Sequence, residues 1–218
     1  MKRSQINAAL REARLLLEAH RWALPAWASW TLNDYRNHGA VAAHLSRHQM
    51  GWDVTDFGSG DFATRGLTLF CARNGNQSDP NSIPYAEKIL FVGEGQETPF
   101  HCHHAKMEDI INRGGGNLMV EFCHEGGGDD EISVLVDGRT AHLQPHEPLR
   151  LTPGESVTIP RRLHHCFYGE AGAGPVFAGE VSQVNDDNSD NYFLEPLGRF
   201  AEIEEDEPAL LPLWNEIN

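Results

Sequence analysis

Over the first fifty residues the apolar positions recur at helical intervals. Ile6, Leu10, Ala13 and Leu17 fall three or four apart, and Ser4 stands where an N-cap would. Pro25 and a tryptophan-rich stretch (Trp22, Trp27, Trp30) interrupt the pattern, and helical spacing resumes from Thr31 to Gln49. The tryptophans read as packing residues, because large aromatic side chains dominate cores and interfaces. From about residue 66 to 182 the texture changes to short apolar runs. LTLFCA, EKILFVG, TPFHCH, NLMVEF, ISVLV, SVTIP, CFYG and VFAGEV are separated by Gly, Pro, Asn and Asp. Asp137-Gly138, between ISVLV and RTAHL, is a two-residue hairpin signal. Many short strands with close turns and no helices between them predict an antiparallel sandwich or barrel. The expected fold is therefore mainly β. One domain spans 1–218, with a helical N-terminal extension over 1–60 and a barrel over 66–182. In 183–218, the Asn/Asp-rich QVNDDNSDN and the acidic EIEEDEP read as solvated surface. Leu210, Leu211, Leu213 and Trp214 predict that the final stretch docks on the barrel or on a partner subunit.

Charge narrows the partners. The 218 residues carry 17 Lys+Arg against 32 Asp+Glu, a net charge of −15. Binding a phosphate backbone needs clustered basic residues, so no nucleic-acid partner is expected. No apolar stretch approaches the ~20 residues of a membrane span, and the opening has no continuous apolar signal segment. No membrane association and a cytoplasmic location are expected. The four cysteines, Cys71, Cys102, Cys123 and Cys166, form no CxxC pair and read as reduced thiols.

Histidine is the informative residue. Five of the twelve fall in two clusters, His101, His103, His104 and then His164, His165. In a strand, residues two apart share a face, so His101 and His103 project together and Cys102 faces away, which disfavours a thiolate–zinc site. Glu108 follows after a short turn, where the next strand can return it to that face. Two imidazoles and a carboxylate converging on one spot form a metal site. Either His164 or His165 can supply a further ligand from a neighbouring strand. His20, His38, His44, His48, His124, His142 and His146 lack such company and read as surface or packing residues.

These segments resemble the two motifs of the cupin superfamily. Gly95-(x5)-His101-x-His103-(x4)-Glu108-(x6)-Gly115 matches the first throughout, and Gly154-(x5)-Pro160-(x4)-His165 keeps the spacing of the second. The resemblance selects His165 over His164 and implies a cupin-type antiparallel β-barrel, or jelly roll, holding a metal on His101, His103, Glu108 and His165. Arg162 stands where that motif has glycine and Gly169 where it has asparagine.

HCHHAKMEDIINRGGGNL, EKILFVGEGQETPFH, GEVSQVNDDNSDNYF and the helical opening together resemble the D-lyxose isomerase family along essentially the whole chain. The resemblance implies an aldose–ketose isomerase interconverting D-lyxose and D-xylulose, with D-mannose and D-fructose as secondary substrates. It also implies a homodimer and a divalent metal, Mn²⁺ first, with Co²⁺, Fe²⁺, Ni²⁺ and Zn²⁺ as alternatives. Moving a carbonyl from C1 to C2 through a cis-enediol(ate) needs a base at carbon and a donor at oxygen. Glu180, in GEVS, is the candidate base, and Lys106, within the metal loop, the candidate donor; a lowered Lys106 pKa is expected. Lys88, Asp190 and Arg162 are candidates for orienting sugar hydroxyls. Two rival readings are a metal-dependent cupin dioxygenase or oxidase and a non-catalytic sugar-binding cupin.

Overall fold

The computed structural model describes residues 1–217. Helix α1 (Arg3–Ala19) buries Ile6, Leu10, Ala13 and Leu17 along one stripe. Ser4 does not cap it. It lies inside the first turn, where its hydroxyl donates to Asp206 at 2.7 Å, and the N-cap position belongs to Lys2. After a 3₁₀ turn (Ala26–Ser29), α2 (Leu32–Asn37) starts at Thr31, whose hydroxyl and backbone N–H both bond Asp34. The helical run breaks at His38, and α3 (Gly39–Arg47) completes it.

The first strand, β1 (Gly51–Thr55), falls inside the segment expected to be helical up to residue 60. Its residues are all buried, polar Asp53 and Thr55 included, and its alternation of Trp52 and Val54 with these two is only five residues long. Then come β2 (Leu67–Arg73), β3 (Tyr85–Val92), β4 (Glu97–Cys102), β5 (Glu108–Gly115), β6 (Leu118–Cys123), β7 (Ile132–Val136) and β8 (Arg139–Leu143). They are followed by β9 (Leu149–Leu151), β10 (Ser156–Ile159), β11 (His164–Gly169), β12 (Val176–Gln183) and β13 (Tyr192–Phe193). The eight predicted runs all lie on strands. The barrel nevertheless extends beyond 66–182 at both ends, through β1 and β13. At the β7–β8 hairpin Asp137 and Gly138 both take positive φ, 47° and 79°, as a type I′ turn requires.

Two antiparallel sheets face each other, giving the cupin-type barrel. The larger has the order β1-β2-β3-β12-β5-β10-β7-β8, and the smaller β13-β4-β11-β6-β9. Between them lies one apolar core, containing Leu69, Leu90, Ile110, Val120, Phe122 and Phe167. A second core lies behind the larger sheet, where α1 and the C-terminal stretch cover Trp52, Phe70, Ile89, Phe91 and Phe177. Strands covered on both faces need apolar residues at every position, which explains the unbroken LTLF and ILFV runs.

The tail docks on the chain's own body. Leu211, Leu213 and Trp214 are buried, and Trp27 stacks on Phe70 in the same layer. The Asn/Asp-rich loop is not all solvated surface as expected: Asn185, Asp187 and Asp190 are buried, each bonded to the barrel or its loops. All four cysteines are buried and unpaired.

Candidate active site

Strands β4 and β11 run side by side in the smaller sheet, with His101 directly opposite His165. His103 follows the end of β4. The chain then crosses the barrel through residues 103–107, and Glu108 opens β5 on the larger sheet. The carboxylate thus meets the imidazoles from the facing sheet, not from an adjacent strand. Ligand atoms of His101, His103, Glu108 and His165 all lie within 4.8 Å of one another, and all four residues are buried.

The imidazoles are presented in one tautomer. Nδ1 of His101 donates to the Pro99 carbonyl at 2.8 Å, Nδ1 of His165 to the Leu163 carbonyl at 3.1 Å, and Nδ1 of His103 to the Asp190 carbonyl. A carbonyl can only accept, so each Nδ1 carries a proton, and in the neutral ring that leaves the Nε2 lone pair for a ligand. Nε2 of His165 is buried 3.0 Å from a Glu108 oxygen and has no hydrogen bond among the described residues. Burial pushes the His101 pKa well below its ordinary value and that of His103 down to about 3, so both rings are neutral. Burial alone would raise Glu108, but the Lys106 ammonium, 2.7 Å away, outweighs it and holds the group as a carboxylate. Three imidazoles and one carboxylate, each oriented by the protein, form a donor set that could hold a divalent metal with further positions left for oxygens. Cys102 is directed elsewhere, into a surface depression beside His104 and His164.

Next to this cluster stands a line of buried charges. The Lys106 ammonium lies 2.7 Å from Glu108 and donates to Glu180 at 2.6 Å. Glu180 on β12 pairs across the sheet with Lys88 on β3, whose Nζ is 3.6 Å from the Glu180 carboxylate. Lys88 also donates to Asn185 at 2.8 Å and lies 3.5 Å from Asp187. The expected lowering of the Lys106 pKa is not found. Burial acts in that direction, but Glu108 and Glu180 together raise it above the ordinary lysine value.

Asp190 and Arg162 do not face this cavity. The Asp190 carboxylate accepts the backbone N–H of His104 at 2.8 Å and of Ala105 at 3.0 Å, while its carbonyl holds His103. These contacts brace the loop between β4 and β5. Arg162 is exposed and adopts φ 67°, the conformation that glycine supplies in the motif, while its N–H donates to the His103 carbonyl at 2.8 Å. Gly169, the other departure, sits so close to Gly93 that a Cβ would lie 2.4 Å from that residue's carbonyl oxygen.

Two site residues escaped the sequence reading. Asp187 and Arg199 line the cavity with Lys88 and Glu180. Both sit in segments without periodicity, and no local spacing links Arg199 to its partners. Burial alone would raise Asp187, but Arg199 and Lys88 hold it well below the usual carboxylate range. The cavity encloses about 420 Å³ not occupied by atoms, part of it open to solvent. Leu67, Leu69, Leu90 and Phe167 form its apolar wall.

Comparison with known proteins agrees with this geometry. The model of the family described as D-lyxose isomerase matches residues 1–217. A D-lyxose/D-mannose isomerase from Escherichia coli O157:H7 is 47% identical, over 99% of this chain and 98% of its own. A protein of the same name from Serratia proteamaculans is 43% identical, over 98% of this chain and 95% of its own. In three dimensions the chain resembles L-ribose isomerase from Cellulomonas parahominis, with a TM-score of 0.63 over 94% of this chain and 98% of that one. At 16% identity that likeness concerns the fold alone. The fold, the buried His/Glu cluster and a match along the whole described chain lead to one conclusion: this chain belongs to the D-lyxose isomerase family of sugar-isomerising enzymes.

Proposed function

We propose that the protein is a metal-dependent aldose–ketose isomerase that interconverts D-lyxose with D-xylulose and D-mannose with D-fructose. The observation that carries this reading is the contact of Lys106 with both Glu108 and Glu180, at 2.7 and 2.6 Å. In this reading Glu180 is the base and the Lys106 ammonium the donor, both next to the residues that would hold the metal. Held by His101, His103, Glu108 and His165, a divalent ion supplies Lewis-acid polarisation of neighbouring sugar oxygens.

The chain's own residues do the rest. Glu180 takes the proton from C2 of the aldose and returns it to C1, and the reaction passes through a cis-enediol(ate). Lys106, kept protonated by its two carboxylates, gives a proton to O1 as charge develops there and takes back the one that O2 releases as the C2 carbonyl forms. Lys88 and Asp187 offer a donor and an acceptor to the sugar's hydroxyls. The apolar wall limits water around the reacting carbons.

Mn²⁺ is the ion we assign, in competition with Co²⁺, Fe²⁺, Ni²⁺ and Zn²⁺, which the same donors accept. A cytoplasmic homodimer completes the reading. Exposed Leu15 and Val41 on the helical extension offer apolar surface to a second copy, and no described helix is long and apolar enough to cross a membrane. The test is anaerobic incubation of metal-depleted protein with D-lyxose, with and without Mn²⁺. Xylulose formed only with metal is the expected outcome. Oxygen-dependent turnover would identify a dioxygenase or oxidase, and sugar binding without ketose under any metal would identify a binding protein; either sinks the proposal.

A further inference from the structure

Arg199 is a cavity residue to which the proton-transfer chemistry assigns no task. It follows β13, and its side chain is one-tenth exposed. Two of its nitrogens are committed. Nε donates to Asp187 Oδ1 at 3.3 Å, and Nη2 lies 3.2 Å from the same oxygen and 2.7 Å from Asp53 Oδ2. The guanidinium also lies over the Phe200 ring, 5.1 Å from its centroid. Nη1 alone is buried with no hydrogen bond among the described residues. Leaving a charged donor buried and unpaired is costly, so a donor kept that way in a cavity wall points to an acceptor on a ligand. Asp53 lies on β1 outside the cavity lining, and its carboxylate serves to hold this arginine.

The place of Arg199 in the cavity limits what it can meet. It stands at the end of a sequence of contacts leading away from the metal ligands: Glu108, Lys106, Glu180, Lys88, Asp187, Arg199. With C1 and C2 beside Glu180, the Asp187–Arg199 end faces the hydroxyls further along the sugar. D-Lyxose and D-mannose have the same configuration at C2, C3 and C4. L-Ribose matches D-lyxose at C2 and C3 and differs from it at C4 alone. These two pentoses present identical atoms to the metal end, so discrimination between them falls to the group that meets C4.

We infer that Arg199 donates from Nη1 to the C4 hydroxyl and is the residue that selects D-lyxose over its C4 epimer. This inference rests on the isomerase reading above. Asp53 and Asp187 fix the guanidinium plane, and Asp53, acting only through Arg199, is a positioning residue. A planar guanidinium clamped at two nitrogens holds the third in a set direction, which a flexible lysine ammonium does not reproduce.

The test compares kcat/KM for D-lyxose and L-ribose in Mn²⁺-loaded wild type, Arg199→Lys and Asp53→Asn, with metal content and thermal unfolding recorded for each. Wild type is expected to prefer D-lyxose. In Arg199→Lys the D-lyxose value should fall about 10- to 100-fold, chiefly through KM. The L-ribose value should fall less, so that the preference narrows about tenfold, and Asp53→Asn should narrow it to a smaller degree. Equal losses for both sugars, no loss, or a wild type without preference would overturn the assignment. A second measurement needs no variant to fold: wild type should process the 4-deoxy analogue of D-lyxose about 10- to 100-fold less efficiently than D-lyxose itself, and equal efficiency overturns the assignment. Absence of any D-lyxose turnover by wild type would defeat the parent reading. Turnover with an unmoved preference would defeat the Arg199 assignment alone.

Discussion

At the level of single residues, Glu180 is the group on which the proposed chemistry turns. It is not among the metal ligands, yet it shares Lys106 with one of them. Glu180→Gln keeps the shape and the contact with Lys106 but removes the site that takes the proton. The expected outcome is a kcat lowered about 10²- to 10⁴-fold with metal content unchanged, measured by steady-state kinetics alongside elemental analysis. Undiminished kcat would transfer the base role to another group. Three of the four candidate ligands, His101, His103 and Glu108, were legible because their signals are local, whereas His165, 57 residues beyond Glu108, was selected over His164 only through the resemblance to the second motif. His101 and His103 stand two apart at the end of β4, and the glutamate follows within one short turn. Asp190 shows the opposite case. Its position near the site was readable, but only folding decided that its carboxylate caps the amides of His104 and Ala105.

Among the elements, β11 is the most constrained. It supplies His165, pairs with β4 on one side and β6 on the other, and ends at Gly169 against Gly93. Gly169→Ala would press a Cβ on a backbone carbonyl that has no rotamer by which to yield. A loss of about 1–3 kcal/mol is expected, read from urea unfolding midpoints, and an unchanged midpoint would mean that the two loops part easily. The strand runs were visible as apolar segments bounded by turn residues. β5 was not, because EDIINRGG mixes inward Glu108 and Ile110 with polar neighbours and has no apolar run. β1 was missed because its alternation of Trp52 and Val54 with Asp53 and Thr55 spans only five residues directly after the helical run. Helix limits were legible where side chains cap locally, as at Thr31, and misread at Ser4, whose partner Asp206 is 202 residues away.

Across the whole molecule, the two ends of the chain lock together behind the larger sheet. Arg3 is buried, with Nε and Nη2 on Glu205 at 2.9 and 2.6 Å and both Nη1 and Nη2 on Glu216. Beside it, Asn7 bonds Glu207 and the Pro208 carbonyl. Arg3→Ala removes these charged hydrogen bonds together and is expected to cost about 1–3 kcal/mol, tempered by the exposure of Glu205. Calorimetric melting checks this, and an unshifted transition would show that the ends contribute nothing to the fold. The acidic tail, which reads as solvated surface, therefore owes part of its charge to an internal task. Net charge itself said little about a neutral sugar.

The sequence by itself determined the alternation of strands and turns, the helical opening, and the grouping of His101, His103 and Glu108, since each depends on groups only a few residues apart. Only the tertiary structure decided which sheet delivers Glu108, where Lys106 finds its two carboxylates, and how Asp53, Asp187 and Arg199 come together from β1 and two irregular segments. Those contacts join residues up to 146 positions apart, as between Asp53 and Arg199. No periodicity encodes such a meeting; it follows from the order in which strands pair and from the cost of burying charge without a partner.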